Sequence, residues 1–126
     1  MSGEICDKCG ANTVPMRLIV KAEDCYRCGT PMRYALIKSD GGFYHLGPPD
    51  FSTEERALAA KNGVLLKTHF SKIIGGSYLA NTCGKCHAFI GAHYLGTYAA
   101  YDFGEDRLAA IVVRHDCAQC WDHLSA

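Results

Sequence analysis

Apolar residues along the chain fall into runs of strand length, each bounded by glycine, proline or a cysteine-rich turn. Val14 to Ala22 (VPMRLIVKA) reads as one strand, with Pro15 near its start, and Met32 to Lys38 (MRYALIK) as another. Asp40-Gly41-Gly42 is a turn and Gly47-Pro48-Pro49-Asp50 a loop. Ser52, followed three residues later by Glu55, has the form of a capping box, so residues 53–62 (TEERALAAKN) are expected to be helical, with Gly63 ending the helix. Val64 to Phe70 reads as a strand and Ser77 to Ala80 as an extended segment. Residues 88–101 (AFIGAHYLGTYAAY) fit either a strand or a helix broken at Gly91 and Gly96. Phe103-Gly104-Glu105-Asp106 turns the chain into Arg107 to Arg114 (RLAAIVVR), the clearest strand of all. The pattern predicts an α+β fold: a small antiparallel sheet with one or two helices.

The turns between these runs carry the chemistry. All eight cysteines sit in C-x-x-C pairs: Cys6/Cys9, Cys25/Cys28, Cys83/Cys86 and Cys117/Cys120. Two thiolates at this spacing chelate one ion from a single tight turn, and two such turns complete the tetrahedral sulfur cage that zinc prefers. Four pairs make two cages, so two zinc ions per chain are expected. Disulfides need an oxidising compartment. Met1-Ser2-Gly3-Glu4 has neither the basic nor the apolar region of a secretion signal, so a cytoplasmic setting is expected. Iron–sulfur clusters use the same thiolates, and spacing does not separate them from zinc. Cys83 to His87 also matches the C-x-x-C-H pattern of covalent haem, but none of the other three pairs is followed by histidine. Gly10 and Gly29 directly follow their pairs and Gly84 lies inside the third, where a chelating turn can require positive φ. The fourth pair lacks a glycine and is expected to run into a short terminal helix.

Composition narrows the class. At 126 residues the chain makes a single domain, and with 48% hydrophobic residues it can build a core. Chains of this size are marginally stable, and apparent zinc affinities of about 10–16 kcal/mol per site act as folding free energy. The formal net charge is zero, so the chain lacks the strong positive field that dominates nucleic-acid affinity. No apolar run approaches a membrane span.

The pairs can be joined in two ways. Sequential pairing leaves 15 and 30 residues between partners, and nested pairing leaves 54 and 107. Loop-closure entropy favours the sequential scheme by only about 1.5 kcal/mol, too little to decide. The segments CYRCGTPMRYALI and YLANTCGKCHAFIGAHYL resemble a group of uncharacterised bacterial zinc-knuckle proteins. Their pattern is Cys-x-x-Cys-Gly, a strand, then Ala-Asn-x-Cys-x-x-Cys with a nearby Gly-x-His/Phe-x-Leu. The resemblance covers residues 22–96. It implies that Cys25, Cys28, Cys83 and Cys86 share one metal, within an inner knuckle core over those residues. Cys6, Cys9, Cys117 and Cys120 depart from the pattern as an outer set and are left to share the second ion.

No residues point to catalysis with comparable force. His87 and His115 flank knuckles and His93 lies between Ala92 and Tyr94, positions that suit packing, the surface or a hydrogen bond to a thiolate. Asp116 and Asp122 beside the fourth knuckle suggest a nuclease, but four cysteines close the coordination sphere that hydrolysis needs open. Tyr26, Tyr34, Tyr44, Tyr78, Tyr94, Tyr98 and Tyr101, interleaved with Lys8, Arg17, Arg27 and Arg33, can stack nucleic-acid bases, although aromatics equally fill strand faces. The expected role is a non-catalytic zinc module that binds another macromolecule, a protein in the first instance. The alternatives are a nucleic-acid-binding zinc ribbon and a small hydrolase or nuclease with an unrecognised site. No membrane partner is expected.

Overall fold

The apolar runs become strands in the computed structural model, which describes residues 10, 13–39, 45–72, 75–100 and 106–116. Chain order is β1 (Val14–Asp24), β2 (Pro31–Lys38), β3 (His45–Leu46), α1 (Thr53–Lys61), β4 (Leu66–Ser71), β5 (Gly76–Asn81), α2 (Ala92–Ala100) and β6 (Arg107–Asp116). The segment read as a loop at Gly47–Asp50 contains one turn of 3-10 helix, Pro48–Asp50. The fold is a small α+β domain with two sheets. One has the order β3-β2-β1-β6 and the other is the β4–β5 hairpin, with every pairing antiparallel.

Burial explains why β1 is central. Leu18, Ile19 and Val20 are consecutive and all fully buried, which requires both faces of the sheet to be covered. Met16, Leu18 and Val20 join Ala35 and Ile37 on one face, packed with Phe51, Ala59 of α1 and Val64. Ile19, Tyr34 and Leu36 point the other way and pack with Ile90, Leu95 and Ala99. The sheet is therefore a middle layer with α1 on one side and α2 on the other. The buried residues of β1 from Met16 to Val20 precede residue 22, so the core draws on chain outside the 22–96 segment.

The capping box forms as the sequence predicts. Ser52 Oγ accepts from the Glu55 amide at 3.2 Å and Glu55 Oε1 accepts from the Ser52 amide at 2.7 Å. Gly63 closes the helix at φ 85°, where its amide donates to Ala60 O and that of Val64 to Ala59 O, a Schellman ending. Val64 is spent on this ending, so β4 starts at Leu66 rather than at Val64. Glu55 is buried and meets the Arg114 guanidinium, whose Nε donates to its Oε2 at 3.0 Å, locking α1 to β6.

The ambiguous segment 88–101 divides. Phe89 forms an isolated bridge with Thr82, and the helix α2 begins at Ala92, its first turn closed by Leu95 N–H donating to Gly91 O at 2.9 Å. Leu95 and Ala99, four residues apart, bury one face of α2. Lys38 Nζ donates to Ala99 O at 3.1 Å, placing a cation at the helix C-terminus.

Asn81 ties the two sheets together. Ala35 and Ile37 turn their backbone groups to the same edge of β2, and β3 covers only Ile37 and Lys38. At Ala35 the Asn81 side chain takes the place of a strand. Its Oδ1 accepts from Ala35 N at 2.8 Å and its Nδ2 donates to Ala35 O at 3.0 Å. The residue is wholly buried.

Candidate metal centre

Two turns meet at the candidate metal centre, and they are built alike. In the first, Cys25 N–H donates to Thr30 O at 2.8 Å and Gly29 N–H to Cys25 O at 2.8 Å. In the second, Cys83 N–H donates to Ala88 O at 2.7 Å and His87 N–H to Cys83 O at 3.0 Å. Each turn thus bonds the amide of its first cysteine to the carbonyl five residues on, and that cysteine's carbonyl to the amide four residues on. The residue after the second cysteine adopts positive φ in both, 74° at Gly29 and 64° at His87. Gly10, after the first pair, has φ 75°. Gly84 is not in this region, so the left-handed position of the third turn falls on His87 instead.

The first turn leaves β1 and enters β2, and the second follows β5, two residues beyond Asn81. The amide bridge from Asn81 to Ala35 therefore sets the hairpin against the sheet and brings the two turns face to face. The Sγ atoms of Cys25, Cys28, Cys83 and Cys86 all lie within 4.8 Å of one another, with Cys25–Cys86 at 3.5 Å and Cys28–Cys83 at 3.7 Å. A tetrahedral cage with Zn–S of about 2.3 Å has sulfur–sulfur edges of about 3.8 Å. The four thiols are free, and the donor set and spacing fit one metal ion. Cys25 and Cys83 are buried, Cys86 is half-buried and Cys28 is exposed. The centre thus faces solvent on one side, with Ala88 and Met32 packed against it.

The electrostatics of the four thiols differ. Bonds from Thr30 hold Cys28 down to about 6, and backbone amides of Cys28 and Arg27 lower Cys25. At Cys86 the Ala88 amide pulls downward, but desolvation and the neighbouring thiols push the group up to about 11. Four thiolates in one cluster repel one another, and a divalent cation relieves that repulsion.

Polar residues brace the second turn. His69 Nε2 lies 2.8 Å from Thr82 Oγ1, whose single proton goes to Ala80 O at 2.9 Å. His69 is therefore the donor in its bond and carries its proton on Nε2. Its ring stacks on Phe89 with centroids 4.2 Å apart. Burial, then the charges of His87 and Lys67, lower its pKa, which favours the neutral ring. Asn81 and His69 carried no signal of a positioning role in composition or spacing. The Ala-Asn step before the third cysteine pair, part of the motif quoted above, is the signal that could have found Asn81.

The other candidates are dispersed. His87 is exposed, and His115 is half-buried on β6 opposite Pro15. Asp116 closes β6, and burial raises its pKa. Arg33 reaches the end of α1, where Nη1 donates to Asn62 O at 2.9 Å, and Arg17 lies on β1 opposite Lys38 and Val112. Tyr34 is buried in the core, Tyr78 meets Phe89 edge-on, and Tyr26 and Tyr94 are exposed. Cys6, Cys9, Cys117, Cys120, Lys8, Tyr44, Tyr101 and Asp122 lie outside the described residues, as does the side chain of His93. The expected second cage and terminal helix fall there too. Among the described residues, no helix is long and apolar enough to cross a membrane. The chain matches no protein-family model, no curated protein and no solved structure.

Proposed function

We propose that Cys25, Cys28, Cys83 and Cys86 hold a structural zinc ion, that Cys6, Cys9, Cys117 and Cys120 hold a second, and that the chain is a non-catalytic module binding another protein. The gathering of four thiols from two like-built turns carries this reading. A set of four thiolates fills the tetrahedral sphere of zinc and leaves no position for substrate. Support for the second ion comes from strand register. Val14 pairs with Asp116, so Cys9 precedes and Cys117 follows neighbouring positions at one end of the sheet. Support for a protein partner is the apolar surface of β6, where Leu108, Ile111 and Val112 are exposed, together with a net charge of zero.

Native mass spectrometry with metal analysis tests the metal reading. Wild-type protein is expected to carry two zinc ions, and Cys6→Ser and Cys83→Ser each to lose one. Cys83→Ser is also expected to lose most of its stability, because the ion ties two distant turns. A single zinc refutes the second site, and iron absorption in anaerobically prepared protein refutes zinc. In-cell crosslinking tests the partner. Recovery of nucleic acid alone, with affinity falling steeply with salt, refutes the protein reading.

A further inference from the structure

Beside the metal centre, two tyrosine rings face each other across a small cavity. Tyr26 stands within the Cys25–Cys28 turn, while Tyr94 and Tyr98 stand four residues apart on α2, on one face of the helix. The rings of Tyr26 and Tyr94 lie 18° from parallel with centroids 6.4 Å apart. With Ile90 and Tyr98 they line a cavity of about 230 Å³. Its walls are held from behind. Tyr26 Oη donates to Phe89 O at 3.1 Å, and Tyr98 stacks on the buried Tyr34 at 4.9 Å. Yet Tyr26 and Tyr94 themselves are 66% and 64% exposed.

Shape and charge together select the occupant. A flat group stacked on both rings needs them about 7 Å apart, twice the van der Waals separation of about 3.5 Å, close to the 6.4 Å between the ring centroids. Among the described side chains, no basic one lines the cavity. Glu23 stands on β1 opposite Met32, and Met32 and Tyr98 pack against the same cluster, so its carboxylate puts a negative charge on the side of the slot; burial and then this carboxylate raise the Tyr98 phenol. Four thiolates around a divalent ion add further negative charge on the Tyr26 side. A nucleotide would bring its phosphate into this field. An ammonium is attracted to aromatic faces too, but it is round and covers less of two parallel rings than a flat cation does. A guanidinium is both flat and cationic, and it stacks well on aromatic rings.

We propose that this slot receives an arginine side chain of the partner protein, its guanidinium sandwiched between Tyr26 and Tyr94 with its charge toward Glu23. The proposal deepens the protein-binding reading and rests on it.

The test is titration of the zinc-loaded full chain with acetyl-Gly-Gly-Arg-Gly-Gly-amide, read from the tyrosine ring signals by NMR. Peptides with lysine or the neutral isostere citrulline in place of arginine, and adenosine monophosphate, are the comparisons. The arginine peptide is expected to shift Tyr26, Tyr94 and Tyr98 saturably. It should bind about 5-fold or more tighter than the lysine and citrulline peptides, and tighter than the nucleotide. Tyr94→Ala, at an exposed position, is expected to lose that binding while keeping its zinc and its melting transition, and Glu23→Gln to weaken it about 2- to 3-fold. Equal binding of citrulline, tighter binding of the nucleotide, no saturable arginine binding, or wild-type affinity in Tyr94→Ala would each overturn the slot. The two readings fail separately. A crosslinked protein partner whose binding survives Tyr94→Ala removes the slot alone. Arginine binding in a protein that crosslinks only nucleic acid removes the protein reading.

Discussion

Replacing Asn81 by alanine tests the contact that positions the metal centre. The native side chain satisfies both backbone groups of Ala35, at 2.8 Å and 3.0 Å, in a place closed to water. Alanine leaves that N–H and C=O buried and unpaired, at about 1–3 kcal/mol each. The vacated amide volume adds a cavity, so the expected loss is about 3–5 kcal/mol, a large share of a domain's usual total of about 5–15 kcal/mol. Asn81→Leu separates the contributions, since it fills the volume but makes neither bond. The loss in leucine should therefore be nearly as large as in alanine. Denaturant unfolding at saturating zinc measures both variants, and a zinc-competition titration follows the metal. Affinity should fall as well, because Asn81 sits two residues before Cys83 and holds its turn in register with Cys25. An Asn81→Ala protein within about 1 kcal/mol of wild type, or a leucine variant restored to wild-type stability, would refute the claim that the amide bridge is what holds the hairpin to the sheet.

Two further substitutions probe local features. His87→Gly is expected to stabilise the zinc-loaded protein by about 0.5–1 kcal/mol, because a side chain at φ 64° costs about 1–2 kcal/mol and glycine returns part of that as unfolded-state entropy; a lower unfolding midpoint would contradict this. Glu55→Gln should cost about 1.5–3 kcal/mol at neutral pH through weaker bonds to Arg114. Burial raises the Glu55 carboxyl, but Arg114 and Ser52 outweigh it and hold it below its ordinary value of 4.5. Its contribution is therefore complete above that value and is lost as pH falls through the lowered one. The stability gap between wild type and Glu55→Gln should close on acidification, and a constant gap would show that the charge is not responsible.

Local signals in the sequence translated well into local structure. The apolar runs at β1, β2 and β6 and the Ser52–Glu55 box are encoded by neighbours, and they fold where neighbours direct. Segment 88–101 was ambiguous because Gly91 and Gly96 lower helix propensity, while burial of Leu95 and Ala99 against Ile19 and Leu36 restores the helix. That burial depends on residues more than fifty positions away and leaves no trace in the segment itself. The division into two sheets was equally hidden, since nothing in the composition of β4 and β5 says that they pair only with each other. The cysteine spacing named the donors of the described centre, but a shared cage is a long-range fact, and only the resemblance over residues 22–96 suggested which turns meet. Gly84 drew attention as the flexible residue of the third turn. The equivalent of Gly29 is the position after the second cysteine, and there a histidine accepts the strained conformation.

The pairing of Val14 with Asp116 has a mechanical consequence. Chain enters and leaves the sheet at the same end of two adjacent antiparallel strands. Tension applied through the flanking segments therefore acts across the β1–β6 ladder instead of along it. The load falls on the Val14–Asp116 rung first and then on each rung in turn, so the ladder peels open one bond at a time and no set of bonds shares the force. A clasp joining the segments beyond that rung would carry the load before the first strand bond is strained.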